Sequence, residues 1–95
     1  MKRTQTQTIA QVINEVFNEY NISDMLNEAR IIAAWYEELG VLAESTDDIY
    51  IKRRILFVKL SSSVVRKELS MRRLKLVELL NKKIGESIIS DIVLR

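Results

Sequence analysis

With 95 residues, 47% apolar and 29% charged side chains and a net charge of +2, the chain has the makings of one small globular domain rather than of a disordered or fibrous segment. Cysteine and histidine are both absent, which excludes disulfides, thiol nucleophiles, Ser-His-Asp catalysis and the usual zinc sites together. No apolar run approaches the ~20 residues of a membrane span, and the leading MKRTQTQT has no apolar h-region behind it, so no membrane partner is expected and the default location is the cytoplasm.

Ile9, Val12, Ile13, Val16, Phe17 and Tyr20 recur at the period of one helical face, which predicts a helix over residues 9–20 capped by Thr8 or Thr6. Asn21, Ile22, Ser23 and Asp24 are expected to stop it and to offer Ser23 as the cap of a second helix. There Met25, Ala29, Ile32, Tyr36 and Leu39 form a stripe broadened by Leu26, Ala33 and Trp35, with Trp35 read as a packing anchor. Gly40 ends that helix or sits in its last turn, and residues 44–48 are turn-like.

Ile49 and Ile51 alternate with Tyr50 and Lys52, and Leu56, Val58 and Leu60 alternate with Phe57 and Lys59, which is the period of a β-hairpin. Its connection, Lys52-Arg53-Arg54, contains no Gly, Asn or Pro and leaves the turn type open. Phe57 is expected in the core. Ser61, Ser62 and Ser63 stand where strand gives way to helix, and their hydroxyls can accept from first-turn amides. Val64, Val65 and Leu69 then read as core. Ser70 is expected to cap a further helix in which Leu74, Val77, Leu80 and Ile84 line one side, widened by Leu76 and Leu79. Gly85 follows Lys82 and Lys83 as a natural C′ residue, and residues 88–94 read as a last strand. The predicted order is α-α-β-β-α-α-β.

Catalytic machinery is missing. The residues three places beyond Ser61, Ser62 and Ser63 are Val64, Val65 and Arg66, so the S-x-x-K spacing fails, and arginine stays protonated. Glu37 and Glu38 are helix neighbours that point in different directions. The glycines, at 40 and 85, cannot form a phosphate-cradling loop. We expect no enzyme, no cofactor and no metal.

The charge is unevenly distributed. Residues 1–47 carry three basic and eight acidic side chains, net −5, whereas residues 48–95 carry twelve and five, net +7. Lys52, Arg53 and Arg54 at the hairpin tip, Lys59 at the strand exit, and Arg66, Lys67, Arg72, Arg73 and Lys75 on the helical pair could form one electropositive surface for phosphates. Tyr50 and Phe57 are the aromatic candidates for base stacking in this half. Competing readings are a solvated dipolar surface without a partner and a protein-interaction module whose basic face meets an acidic protein. The apolar stripe of residues 9–20 could cover its own domain, meet another protein or form a homodimer.

Several spaced residues carry a family resemblance: Trp35-x-x-x-Leu39-Gly40-x-x-Ala43-x-x-Thr46, then Ile55-Leu56-x-Val58-x-Leu60-Ser61-Ser62-x-x-x-x-Lys67-Glu68-Leu69, then Leu79-Leu80-Asn81-x-x-x-Gly85, and last Ile92-x-Leu94-Arg95. In order and spacing these resemble the DciA family of bacterial replication proteins, over about residues 8–95. The resemblance implies an α+β, K-homology-like domain, type II-like α-β-β-α-α-β with an extra N-terminal helix and a three-stranded sheet packed on helices, spanning residues 1–95. It also implies a non-enzymatic protein that binds DNA, single strands included, and engages the replicative helicase to help its loading. The chain departs from nucleic-acid-binding K-homology domains in having no G-x-x-G loop, so the basic hairpin and helix would replace the backbone clamp.

Overall fold

The computed structural model describes residues 22–95. The helix expected over residues 9–20, its caps and the homodimer proposed through it lie outside the described residues. Among the described residues, α1 (Ile22–Leu39) leads through a 3-10 segment (Gly40–Ser45) into β1 (Thr46–Lys52) and β2 (Ile55–Leu60); α2 (Ser63–Met71), α3 (Arg73–Ile84) and β3 (Asp91–Leu94) follow. The class is α+β. β2 is the middle strand, antiparallel to β1 and parallel to β3.

The strand period decides what faces what. Ile49 and Ile51 on β1, Leu56, Val58 and Leu60 on β2, and Ile92 and Leu94 on β3 share the face turned toward the helices. They meet Ile31, Ala34 and Trp35 of α1, Leu69 of α2 and Leu76 and Leu80 of α3 in one apolar cluster. Trp35 is fully buried and donates its indole N–H to Thr46 Oγ1 at 3.1 Å, so the anchor role expected for it holds.

Several local expectations shift by a residue or a face. α1 already includes Ser23, which is therefore not its cap. Its buried side is Ile31, Ala34 and Trp35, while Met25, Leu26, Ala29 and Tyr36 are exposed. Apolar residues stand on almost every side of this helix, so its sequence period could not single out the buried one. Residues 46–48 extend β1 instead of making a turn, because Thr46 pairs with Leu60 across an irregularity between Thr46 and Asp48. Val64 is exposed rather than core, as is Leu74. Ser70 lies within α2, and Arg72 occupies the cap position of α3 without a side-chain cap bond. The last strand begins at Asp91, with Ile89 buried in the loop before it.

In the serine run it is Ser62 that caps α2, while Ser61 stays at the strand exit and Ser63 is the first residue of the helix. Ser62 Oγ accepts from the Val65 amide at 3.2 Å, and Ser61 bonds the Ser45 carbonyl through both its amide and its hydroxyl. At the far end of α3, Gly85 has φ +89° and returns its amide to the Asn81 carbonyl at 2.9 Å, the left-handed stop that glycine adopts without strain. Lys83 ties α3 to α1 by bonding Glu37 at 2.7 Å with Glu38 at 3.6 Å; that hydrogen bond, with the charge of Lys83, holds the Glu37 carboxyl below its ordinary value.

Asn81 substitutes for a strand partner. Its Oδ1 accepts from the amides of Ile88 and Ile89 at 2.9 and 3.0 Å, and its Nδ2 donates to the Ile89 carbonyl at 2.8 Å. These bonds deliver Ile89 to the core and aim β3 at β2. Asn81→Ala leaves two part-buried amides without acceptors and should lower unfolding stability by about 2–4 kcal/mol in urea titrations. Asn81→Asp retains the acceptors and should cost less; equal losses would contradict the assignment.

Candidate nucleic-acid interface

The outward sides of the three strands form a regular grid. Register places Lys52 beside Ile55 and Asp91, Tyr50 beside Phe57 and Val93, and Asp48 beside Lys59 in successive rows, and Arg95 continues the last row beyond β3. Tyr50 and Phe57 stack with ring centroids 5.0 Å apart and 13° between planes. The Arg95 guanidinium lies over both rings, 6.0 Å from the Tyr50 centroid and 5.4 Å from that of Phe57, and donates to the Tyr50 hydroxyl at 2.6 Å. Asp48, Tyr50, Phe57, Lys59 and Arg95 together line an open hollow of about 380 Å³.

Phe57 is thus not a core residue. It is half-buried on the face away from the helices, and its core neighbours along the strand are Leu56 and Val58. The alternation of β2 carries that answer, since a residue between two inward ones must point outward. Phe57's size and hydrophobicity conceal it.

The nine basic residues singled out from the sequence fall into different physical situations. Arg54 clasps the loop before β3: its Nη2 donates to the Ser87 carbonyl and hydroxyl, both at 2.9 Å, and its Nε to the Ile88 carbonyl at 3.3 Å. Its own carbonyl accepts from Ser90 N at 2.7 Å and Ser90 Oγ at 3.2 Å. This explains a hairpin turn without glycine. Arg53 and Arg54 have φ of +52° and +66°, the pattern of a type I′ turn, and the clasp offsets the roughly 1–2 kcal/mol that each left-handed residue costs. Arg66 is half-buried and donates to the Leu60 carbonyl at 3.0 Å, pinning α2 to the strand exit.

Arg72 bridges Glu68 within the α2–α3 elbow, and Arg73 Nε reaches Asp91 Oδ1 at 3.1 Å. Because Asp91 pairs with Ile55, that bridge brings the elbow to the hairpin-tip end of the sheet. Lys59 lies on the sheet grid, paired across β1 with Asp48. Lys52, Arg53, Lys59, Lys67 and Lys75 are exposed, and no hydrogen bond or ion pair to their side chains occurs among the described residues. The structure therefore gathers Lys52, Arg53, Arg54 and Arg73 at one end of the sheet and Lys59 and Arg66 at the other. Sequence reasoning missed Arg95, whose late position hides that it pairs beside Val58 and Leu60 through backbone bonds of 3.0 and 2.7 Å.

No group of metal-ligating side chains occurs among the described residues. A protein-family model described as Dna[CI] antecedent, DciA, matches residues 8–94. No curated protein and no solved structure matches the chain. The chain belongs to the DciA family, a family associated with helicase loading and not a catalytic one, which gives it a replication-related role with the replicative helicase as the partner the family suggests.

The division between clasping and free cations is measurable. Arg54→Ala should lower the thermal stability of the protein by about 1–2 kcal/mol, because the hydrogen bonds to the β3 approach disappear. Lys52→Ala, Lys67→Ala and Lys75→Ala should each stay within about 0.5 kcal/mol of the parent. Similar melting temperatures for all four variants would remove Arg54 from the structural role.

Proposed function

We propose that this DciA-family chain is a non-enzymatic DNA-binding accessory of the replicative helicase that assists loading of the helicase onto DNA. The observation that carries the reading is the family match across residues 8–94. Support for the DNA half comes from the five exposed cations Lys52, Arg53, Lys59, Lys67 and Lys75, each of which can exchange its counterions for a phosphate without breaking a bond among the described residues. Arg72 and Arg73 contribute where a phosphate displaces Glu68 or Asp91. We read the α-β-β-α-α-β order as K-homology-like, with side chains rather than a glycine backbone clamp holding the strand.

A second reading, a protein-interaction module with a basic face and little affinity for nucleic acid, draws on the elbow. Met71 and Leu74 are 74% and 69% exposed there, beside arginines already paired with carboxylates. Apolar side chains set among partly neutralised charges suit a protein surface better than a phosphate backbone.

Binding of a fluorescent oligonucleotide, measured over a salt series with and without the replicative helicase, separates the readings. The DNA reading expects micromolar or tighter affinity at near-physiological salt, altered by the helicase. It also expects the combined variant Lys52→Ala, Arg53→Ala, Lys67→Ala and Lys75→Ala to show a shallower slope of log K against log salt, by about 0.7 for each phosphate that no longer meets a cation. Helicase binding without detectable DNA binding would leave the interaction module standing and remove the DNA assignment.

A further inference from the structure

We infer that the face of the sheet that none of the described helices covers is a stacking platform for the bases of an unpaired DNA strand, centred on Tyr50 and Phe57 and flanked by Lys59 and Arg95. The inference rests on the DNA-binding reading and adds to it the residues that take the bases. Three observations converge on one hollow.

The first is the aromatic pair itself. Two adjacent strands each place an aromatic ring on the outward side at the same register position, and the rings lie nearly parallel at 5.0 Å. A sheet face that only met water would be served by polar residues in this middle row of the strands. Tyr50 is 38% exposed, so a flat apolar surface stands in solvent.

The second is the charge around the rings. Lys59 and Arg95 border them on one side and Lys52 on the other, so cations flank the aromatic row at both ends of the strands. A strand crossing the rings would thus find a cation on either side for its phosphates. Asp48, opposite Lys59, is the acidic side chain in the hollow; Asp91, at the far corner, is engaged by Arg73. An aromatic row bordered by cations fits a strand whose bases are exposed and whose phosphates run alongside them, and it fits a duplex poorly, since paired bases are stacked on one another and present only their edges.

The third is the position of Arg95. Its guanidinium lies over the rings where a base would stack, held by the Tyr50 hydroxyl. Stacking of a base on an aromatic ring exceeds an exposed cation–π contact in strength, and the displaced guanidinium gains a phosphate. Arg95 therefore covers the platform when it is empty and joins the phosphate contacts when it is filled.

The test uses the full chain, a fluorescent thymidine homopolymer and a duplex of equal length, both at near-physiological salt. Tyr50→Leu with Phe57→Leu keeps apolar bulk but removes the flat rings; Tyr50→Leu alone serves if the double variant fails to fold. We expect single-strand affinity to fall roughly tenfold or more, with duplex affinity and the salt slope unchanged. Tyr50→Phe retains the ring, frees Arg95 and should bind single strands at least as tightly as the parent. If the parent binds DNA and the leucine variants bind single strands equally well, or lose single-strand and duplex affinity in equal measure, the platform is overturned while the DNA-binding reading stands. A parent protein that binds neither probe overturns both.

Discussion

β2 is paired on both sides, so its alternation cannot slip without turning the whole molecule inside out. Leu56, Val58 and Leu60 face the helices and are essentially without solvent exposure, and Ile55, Phe57 and Lys59 face the other way. Each neighbouring strand copies this division through its register. The core, the open face and the cations that border it all follow from that one pattern, because the helices can only pack where the aliphatic side chains are. Trp35 and Leu80 then fill the space above the strand, each wholly buried.

The loops fix where the outer residues end up. Arg54 and Asn81 are polar side chains acting on backbone: one holds the hairpin tip to the loop before β3, and the other supplies that loop with the acceptors a strand would otherwise give. Arg66 does the same between α2 and the end of β2. These contacts account for part of the positive charge in the C-terminal half without any reference to a ligand. Of the nine basic residues singled out from the sequence, Arg72 and Arg73 pair with carboxylates, and Lys52, Arg53, Lys59, Lys67 and Lys75 have no hydrogen bond or ion pair among the described residues.

Over the described residues, element order and most helix and strand positions were legible in the sequence because apolar periods of two and of three to four are strong there. The serine run was legible too, since strand exit followed by helix start leaves few roles for hydroxyls. Which face of α1 is buried was not legible, because Met25, Leu26, Ala29 and Tyr36 mimic a core stripe that the fold leaves exposed. The elbow was misjudged for a related reason: Leu74 completes a helical stripe on paper, but it is exposed at the start of α3, just past the turn at Arg72. At the candidate site, the sequence offered the cations without their partners. That Arg54 and Arg66 bind carbonyls, and that Arg95 lies over Tyr50 and Phe57, depends on how the folded chain brings separate segments together. Phe57 is the instructive case, because strand alternation argued for the open face while hydrophobicity argued for the core, and alternation prevailed.

The most direct measurement is of the aromatic ring signals themselves, by nuclear magnetic resonance, as a short thymidine oligonucleotide is titrated into the protein. If unpaired bases stack on the open sheet face, the Tyr50 and Phe57 ring resonances move upfield together with the Arg95 and Lys59 side-chain signals, while buried Trp35 and the remote Tyr36 stay in place. Ring resonances that remain fixed while the lysines and arginines of α2 and α3 shift would contradict the account and move the DNA to the helical side of the molecule.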